Sequence, residues 1–197
     1  MRLPPLKRDA LTAAQQAVVD AIESGPRGQG ADGKPRPGIG LIGPFGAWAR
    51  APSIGMPIQS VGEAIRFNTS IPENAKEVAI CTVGVFHQSK FEYSAHRALA
   101  IRAGVSETAL DQLVNDEHPA FDGDEQIAYT IAMQLLTQHK IIPDTYAHGL
   151  EACGETGMIE LIATIGYYCL ISLTLNAFEI PLEPGMVDPF PNSESDA

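Results

Sequence analysis

A carboxylate and an imidazole stand four residues apart in the segment His87-Gln88-Ser89-Lys90-Phe91-Glu92-Tyr93-Ser94-Ala95-His96-Arg97. On a helix turning about 100° per residue, Glu92 and His96 lie about 40° apart on one face, which continues through Ala95, Leu99 and Ala103. Ser89 projects beside them one turn earlier. Lys90 and Arg97 point to the opposite side, so the acid and the imidazole occupy the stripe that reads as buried. A carboxylate one turn from an imidazole fixes its tautomer and raises its pKa, which suits a proton shuttle near neutral pH. The same spacing also describes a helix-surface pair contributing a few tenths of a kcal/mol. Glu77 is the only charged residue between Lys76 and Lys90, within the run Val78-Ala79-Ile80-Cys81-Thr82-Val83-Gly84-Val85-Phe86. It reads either as an exposed helix-start carboxylate or as a buried acid paired with a proton donor.

Other chemistries find little support. Gly38-Ile39-Gly40-Leu41-Ile42-Gly43 matches GxGxxG literally, but Pro35 and Pro37 occupy the place of the strand a dinucleotide fold needs, and Pro44 follows. A glycine loop is the expectation. No P-loop, HExxH or GxSxG motif occurs, and the five histidines are too scattered to predict a metal site. Cys81, Cys153 and Cys169 lack CxxC spacing and sit in apolar or small-residue runs, which argues against a disulfide framework.

The elements that must position these residues are helical almost throughout, and no stretch alternates cleanly enough for a half-buried strand. A helix is expected over Leu11–Ile22, then a Gly/Pro-rich loop or arm over Gly25–Gly46, with eight glycines and four prolines. Pro52 opens a segment to about Phe67. Ser70-Ile71-Pro72-Glu73 has capping-box spacing and introduces an apolar helix to about Phe86. A helix to Ala103 closed by Gly104, a short one from Ser106, and helices over Asp124–His139, Pro143–Cys153 and Met158–Ala177 follow. Leu161–Phe178 is uncharged for 18 residues but carries Thr164, Ser172 and Thr174, and reads as a buried core helix. An acidic tail from about 185 to 197 is expected to be mobile.

The 197 residues are 45% apolar and 19% charged, a globular balance, and a single domain over 1–197 is expected. At this length a folded chain buries about 70% of its unfolded surface, enough for a core without disulfides or metal. A net charge of −11 argues against a phosphate-backbone binder and an anionic membrane surface. The N-terminal residues contain no apolar h-region, so a cytoplasmic location is expected.

Ile71-Pro72-Glu73 through Glu77 with its apolar helix, Phe91-Glu92-Tyr93-xx-His96, Ala103-Gly104-Val105-Ser106 and the segment Gly166-Tyr167-Tyr168 to Glu179 together resemble the carboxymuconolactone decarboxylase-like proteins. These share a helical fold with the AhpD-like alkylhydroperoxidases. The resemblance spans about Phe45 to Pro184 and implies an all-α, AhpD-like helical bundle assembled as a trimer or hexamer. The peroxidase branch carries CxxCxxxH with an upstream glutamate. Aligned on His96, its cysteines fall on Ser89 and Glu92 and its glutamate on Glu77. A dithiol cycle cannot run through a serine and a carboxylate.

The decarboxylase branch needs no metal or organic cofactor. By that resemblance the chain is expected to be a cofactor-independent lyase or isomerase moving protons on a small carboxylated or lactone-type molecule. His96 is then the proton-transferring residue or enolate stabiliser, Glu92 its orienting partner and Glu77 a second acid or relay. Ser89 and Tyr93 are the substrate-binding candidates, while Tyr167, Tyr168 and Trp48 read as core or interface aromatics. Two alternatives stand beside this: a peroxidase-related redox protein without CxxC, and a non-catalytic ligand-binding or scaffold oligomer.

Overall fold

The computed structural model describes residues 2–30 and 33–191. Among them are eight α-helices and no strand, apart from one isolated bridge between Gln29 and Pro35. The chain groups into two compact units, Met1–Thr69 with Thr174–Pro181, and Ser70–Leu173 with Leu182–Ala197.

The first unit holds α1 (Ala13–Ser24), α2 (Gly43–Ala49) and α3 (Pro52–Phe67). Thr12 starts α1 with a reciprocal cap. Its hydroxyl accepts from Gln15 N–H, and the Gln15 side chain accepts from Thr12 N–H. Val18, Val19 and Ile22 bury the inner face of α1 against Ile39 and Ala49. The segment expected as a loop over 25–46 is more structured than its composition suggested: it contains the 3-10 turns Pro26–Gly28 and Ile39–Leu41 and the start of α2. Pro44 fits the first turn of α2, where its missing N–H is not needed, and Ile39 anchors the segment in the α1 core. Residues 31 and 32 of that segment lie outside the described residues.

The second unit holds α4 (Glu73–Phe86), α5 (Lys90–Arg102), α6 (Glu107–Val114), α7 (Gly123–Gln138) and α8 (Pro143–Ala177), whose last residues group with the first unit. Helix α4 is its centre, packed against α5 and α7 and buried on nearly every side from Ala75 to Gly84. The capping box expected at Ser70 does not form. Pro72 takes the N-cap position, disfavouring helix at the residue before it. Ser70 instead gives its N–H and hydroxyl to the Glu160 carboxylate, at 2.7 and 2.8 Å, and Glu73 pairs with Lys76 at 2.7 Å. Ser106 does cap α6, its hydroxyl accepting from Ala109 N–H. Gly104, at φ 96°, closes α5.

The two helices expected from Pro143 and from Met158 are both present within α8, parted at Gly154, whose backbone (φ 66°, ψ −178°) is not helical. By length and composition α8 is the one described helix apolar enough to cross a membrane, and half of its most apolar stretch is buried inside the protein. Of the tail expected from 185, three residues contact α5: Val187 C=O accepts from the Ser94 hydroxyl, Asp188 pairs with Lys90, and Phe190 lies against Tyr93. Residues 192–197 lie outside the described residues.

Candidate active site

The α4–α5 turn sets the site. Ser89 N–H bonds to Gly84 C=O at 2.8 Å and Gln88 N–H to Val85 C=O at 2.9 Å, with Gln88 left-handed at φ 50°. This pattern ends one helix and starts the next within a few residues. The helices return side by side at unusually short range. A Cβ built on Gly84 would lie 3.2 to 3.3 Å from the Tyr93 backbone and Cβ, so only glycine allows the approach without displacement.

Antiparallel pairing brings Glu77, two turns before Gly84, level with His96 on α5. Glu77 Oε2 lies 2.6 Å from His96 Nδ1, and Glu92 Oε1 lies 3.0 Å from His96 Nε2. All three residues are interior, with relative exposures of 0% for Glu77, 4% for Glu92 and 7% for His96. Of the readings open at the sequence level, the solvated surface pair and the exposed helix-start acid are therefore both replaced by a buried cluster. Burial pushes the imidazole down, but the charges of Glu77 and then Glu92, with their hydrogen bonds, outweigh it and raise it from 6.5 to about 9. At neutral pH His96 is thus an imidazolium donating one N–H to each carboxylate. Charge-assisted bonds of this length are the strong kind.

The arrangement suits proton transfer and not metal ligation. The carboxylates sit at opposite edges of the ring and both imidazole nitrogens are spent on them. Among the described residues no group of three or more His, Cys, Asp or Glu is disposed to hold a metal ion.

No protein-family model matches the sequence, and no curated protein matches it. Solved structures do. The debrominase Bmp8 aligns at a TM-score of 0.66 and 15% identity over 91% of each chain, and its cysteine-to-alanine variant in complex with 2,3,4-tribromopyrrole at 0.67 and 15%, over 93% of this chain and 92% of that one. The fold is similar to that of an enzyme. The all-α, AhpD-like helical bundle expected from the sequence is the fold of this chain. At 15% identity the likeness extends to the fold alone.

Within this fold the remaining candidates separate. Tyr93 is buried, but its hydroxyl donates to Leu110 C=O at 2.9 Å and its ring joins the cluster of Val78, Ala109 and Leu113, so it is not brought to the triad. Burial holds its phenol well above the ordinary range. Ser89 is completely buried at the N-cap of α5, yet its side chain makes no capping bond and its Oγ has no hydrogen-bond partner among the described residues. Cys81, one turn after Glu77, is raised well above an ordinary thiol by burial and then by Glu77 and Glu92. It is a protonated, inert neighbour of the site.

Tyr168 is the residue sequence reasoning assigned elsewhere. Its ring meets the His96 imidazole edge-on, centroids 4.9 Å apart at 79°. A signal was present: Thr164, Tyr168 and Ser172 recur at intervals of four in the most apolar helix of the chain, and all three are buried. A buried polar stripe on such a helix needs polar company.

Proposed function

We propose that the chain is a cofactor-independent lyase or isomerase that moves a proton on a small carboxylated or lactone-type molecule. The observation that carries this reading is the buried Glu77–His96–Glu92 array, three coupled ionisable groups with no water-facing role to justify their burial. Roles follow from the geometry. Glu77, the closer and more deeply buried partner, orients the ring through Nδ1. His96 stores a proton and balances the charge of the acids. Glu92, whose second oxygen is not committed to the ring, is the group that exchanges a proton with substrate. This reverses the expected order, in which His96 met the substrate and Glu92 oriented it, because neither imidazole nitrogen is left over.

In the lyase version the carbon–carboxylate bond breaks, carbon dioxide leaves, and its bonding electrons pass to an enolate that takes a proton through Glu92 from the His96 imidazolium, which water then recharges. In the isomerase version Glu92 removes a proton beside a carbonyl and returns it elsewhere on the same ring. The similarity to a debrominase supports an enzyme on this fold and carries no substrate across.

The test is proton NMR of a panel of lactones and lactone acids incubated in heavy water with the protein. Deuterium uptake or carbon dioxide release on at least one ring, lowered about 100-fold or more by Glu92→Gln, is expected for a general acid–base. No reaction on any ring, or equal rates in Glu92→Gln, would end the proposal.

A further inference from the structure

Two buried hydroxyls, on Ser89 three residues before Glu92 and on Ser172 one turn after Tyr168, lack partners among the described residues, and every cation on α4 to α8 is committed or remote. Ser89 and Ser172 are both completely buried, and neither Oγ has a hydrogen-bond partner among the described residues. Serines inside a helix ordinarily bond the carbonyl four residues back, as Thr164 does to Glu160 at 2.7 Å, and serines at an N-cap ordinarily accept from the first turn. Ser172 and Ser89 do neither.

Their placement converges. Glu160 clasps Ser70 just before α4, and Tyr168, about two turns farther along α8, reaches His96 beside Glu77. Helix α8 therefore runs in the same direction as α4 and against α5. One turn beyond Tyr168, Ser172 falls on the Glu92 and Ser89 side of the imidazole.

Charge decides what such a place accepts. Two carboxylates and one imidazolium leave the cluster with a net negative charge. Helices α6, α7 and α8 contain no Lys or Arg. On α4 and α5, Lys76 pairs with Glu73, Lys90 with Asp188, and Arg97 with Asp111 and Glu107, while Arg102 stands at the far end of α5. A carboxylated ligand would bring a second uncompensated negative charge into a buried site.

We propose that this site takes an uncharged, enolisable carbonyl compound, its carbonyl oxygen held by the Ser89 and Ser172 hydroxyls and its α-proton taken by Glu92. The inference rests on the proton-transfer reading above and narrows it to isomerisation of a neutral lactone or ketone. The Glu92 carboxylate removes the α-proton. The C–H electron pair becomes the enolate, whose oxygen accepts from both hydroxyls. The Glu92 acid then delivers the proton to the γ-carbon, so the double bond moves and no other reactant is consumed.

The probes are α-angelica lactone, a neutral β,γ-unsaturated ring, and the same ring bearing a carboxymethyl group. Deuterium uptake from heavy water and ligand-observed NMR binding are measured for wild type, Ser172→Ala, Ser89→Ala and Glu92→Gln. The neutral ring is expected to exchange, and the charged ring to bind at least about ten-fold more weakly. Ser172→Ala lowers exchange about ten-fold or more while raising Tm, since an unpaired buried hydroxyl destabilises the free protein. A purely structural serine would not move the two readouts in opposite senses. Equal or tighter binding of the charged ring, or unchanged exchange in Ser172→Ala, overturns the inference. If the charged ring alone exchanges, and does so through Glu92, the inference falls and the proton-transfer reading stands. If neither ring exchanges in the wild type, the inference falls, and the full lactone panel decides the proton-transfer reading.

Discussion

Raising the pH from 6 to 8, below the range where thiols and phenols titrate, should destabilise this protein through His96. The folded His96 holds its proton to about 9, whereas in the unfolded chain it is released near 6.5. Between those values the unfolded state binds fewer protons, so stability falls as pH rises. Linkage gives a contribution of about 3 kcal/mol at pH 6 that falls by roughly half at pH 8 and is close to zero by pH 10. The control is the double variant Glu77→Gln with Glu92→Gln. It keeps the shapes, removes both charges and leaves burial alone to push the imidazole down, so the His96 contribution to its slope between pH 6.5 and 8 should vanish. Urea unfolding at several pH values, with the m-value checked for constancy, gives the difference between the two proteins and cancels the other titrating groups. A wild-type stability that stays level from pH 6.5 to 8 relative to the double variant would refute the reasoning, since no imidazolium would then be held between two carboxylates.

Other consequences are simpler to read. Gly84→Ala puts a methyl against the Tyr93 backbone, and should cost about 1–3 kcal/mol in urea unfolding and slow any turnover by moving α5, with Glu92 and His96, away from Glu77. An unchanged stability would mean the helices do not need their close approach. Cys81 is buried with its thiol well above the ordinary range, while Cys153 and Cys169 are partly exposed. A thiol reagent at pH 8 should therefore label at most two cysteines in the native protein and the third only on unfolding; three native reactions would contradict the placement of Cys81.

Much of the site was legible in the sequence because helical periodicity is local. Glu92 and His96 had to share a face, and the apolar run after Glu77 had to be interior, so their types and spacing admitted a buried acid–imidazole pair beside the solvated alternative. What could not be read were contacts between distant segments. Ser70 has the spacing of a cap but binds Glu160, 90 residues away, because Pro72 moves the helix start. Tyr93 sits within a residue of Glu92 yet turns to Leu110 on α6. Tyr168 meets His96 across 72 residues of sequence, a contact that no local spacing could predict. The allocation of one carboxylate to each ring nitrogen is likewise a tertiary fact, and it is the reason we propose Glu92 as the substrate-facing group.

The central claim is that His96 is a doubly bonded imidazolium, leaving Glu92 to meet the substrate. Nitrogen-15 NMR of the imidazole tests it most directly. The account predicts that Nδ1 and Nε2 are both protonated at pH 7.5 and that the ring loses a proton only near pH 9. A neutral ring at pH 7.5, with one protonated and one bare nitrogen, would contradict it and return His96 to direct contact with substrate.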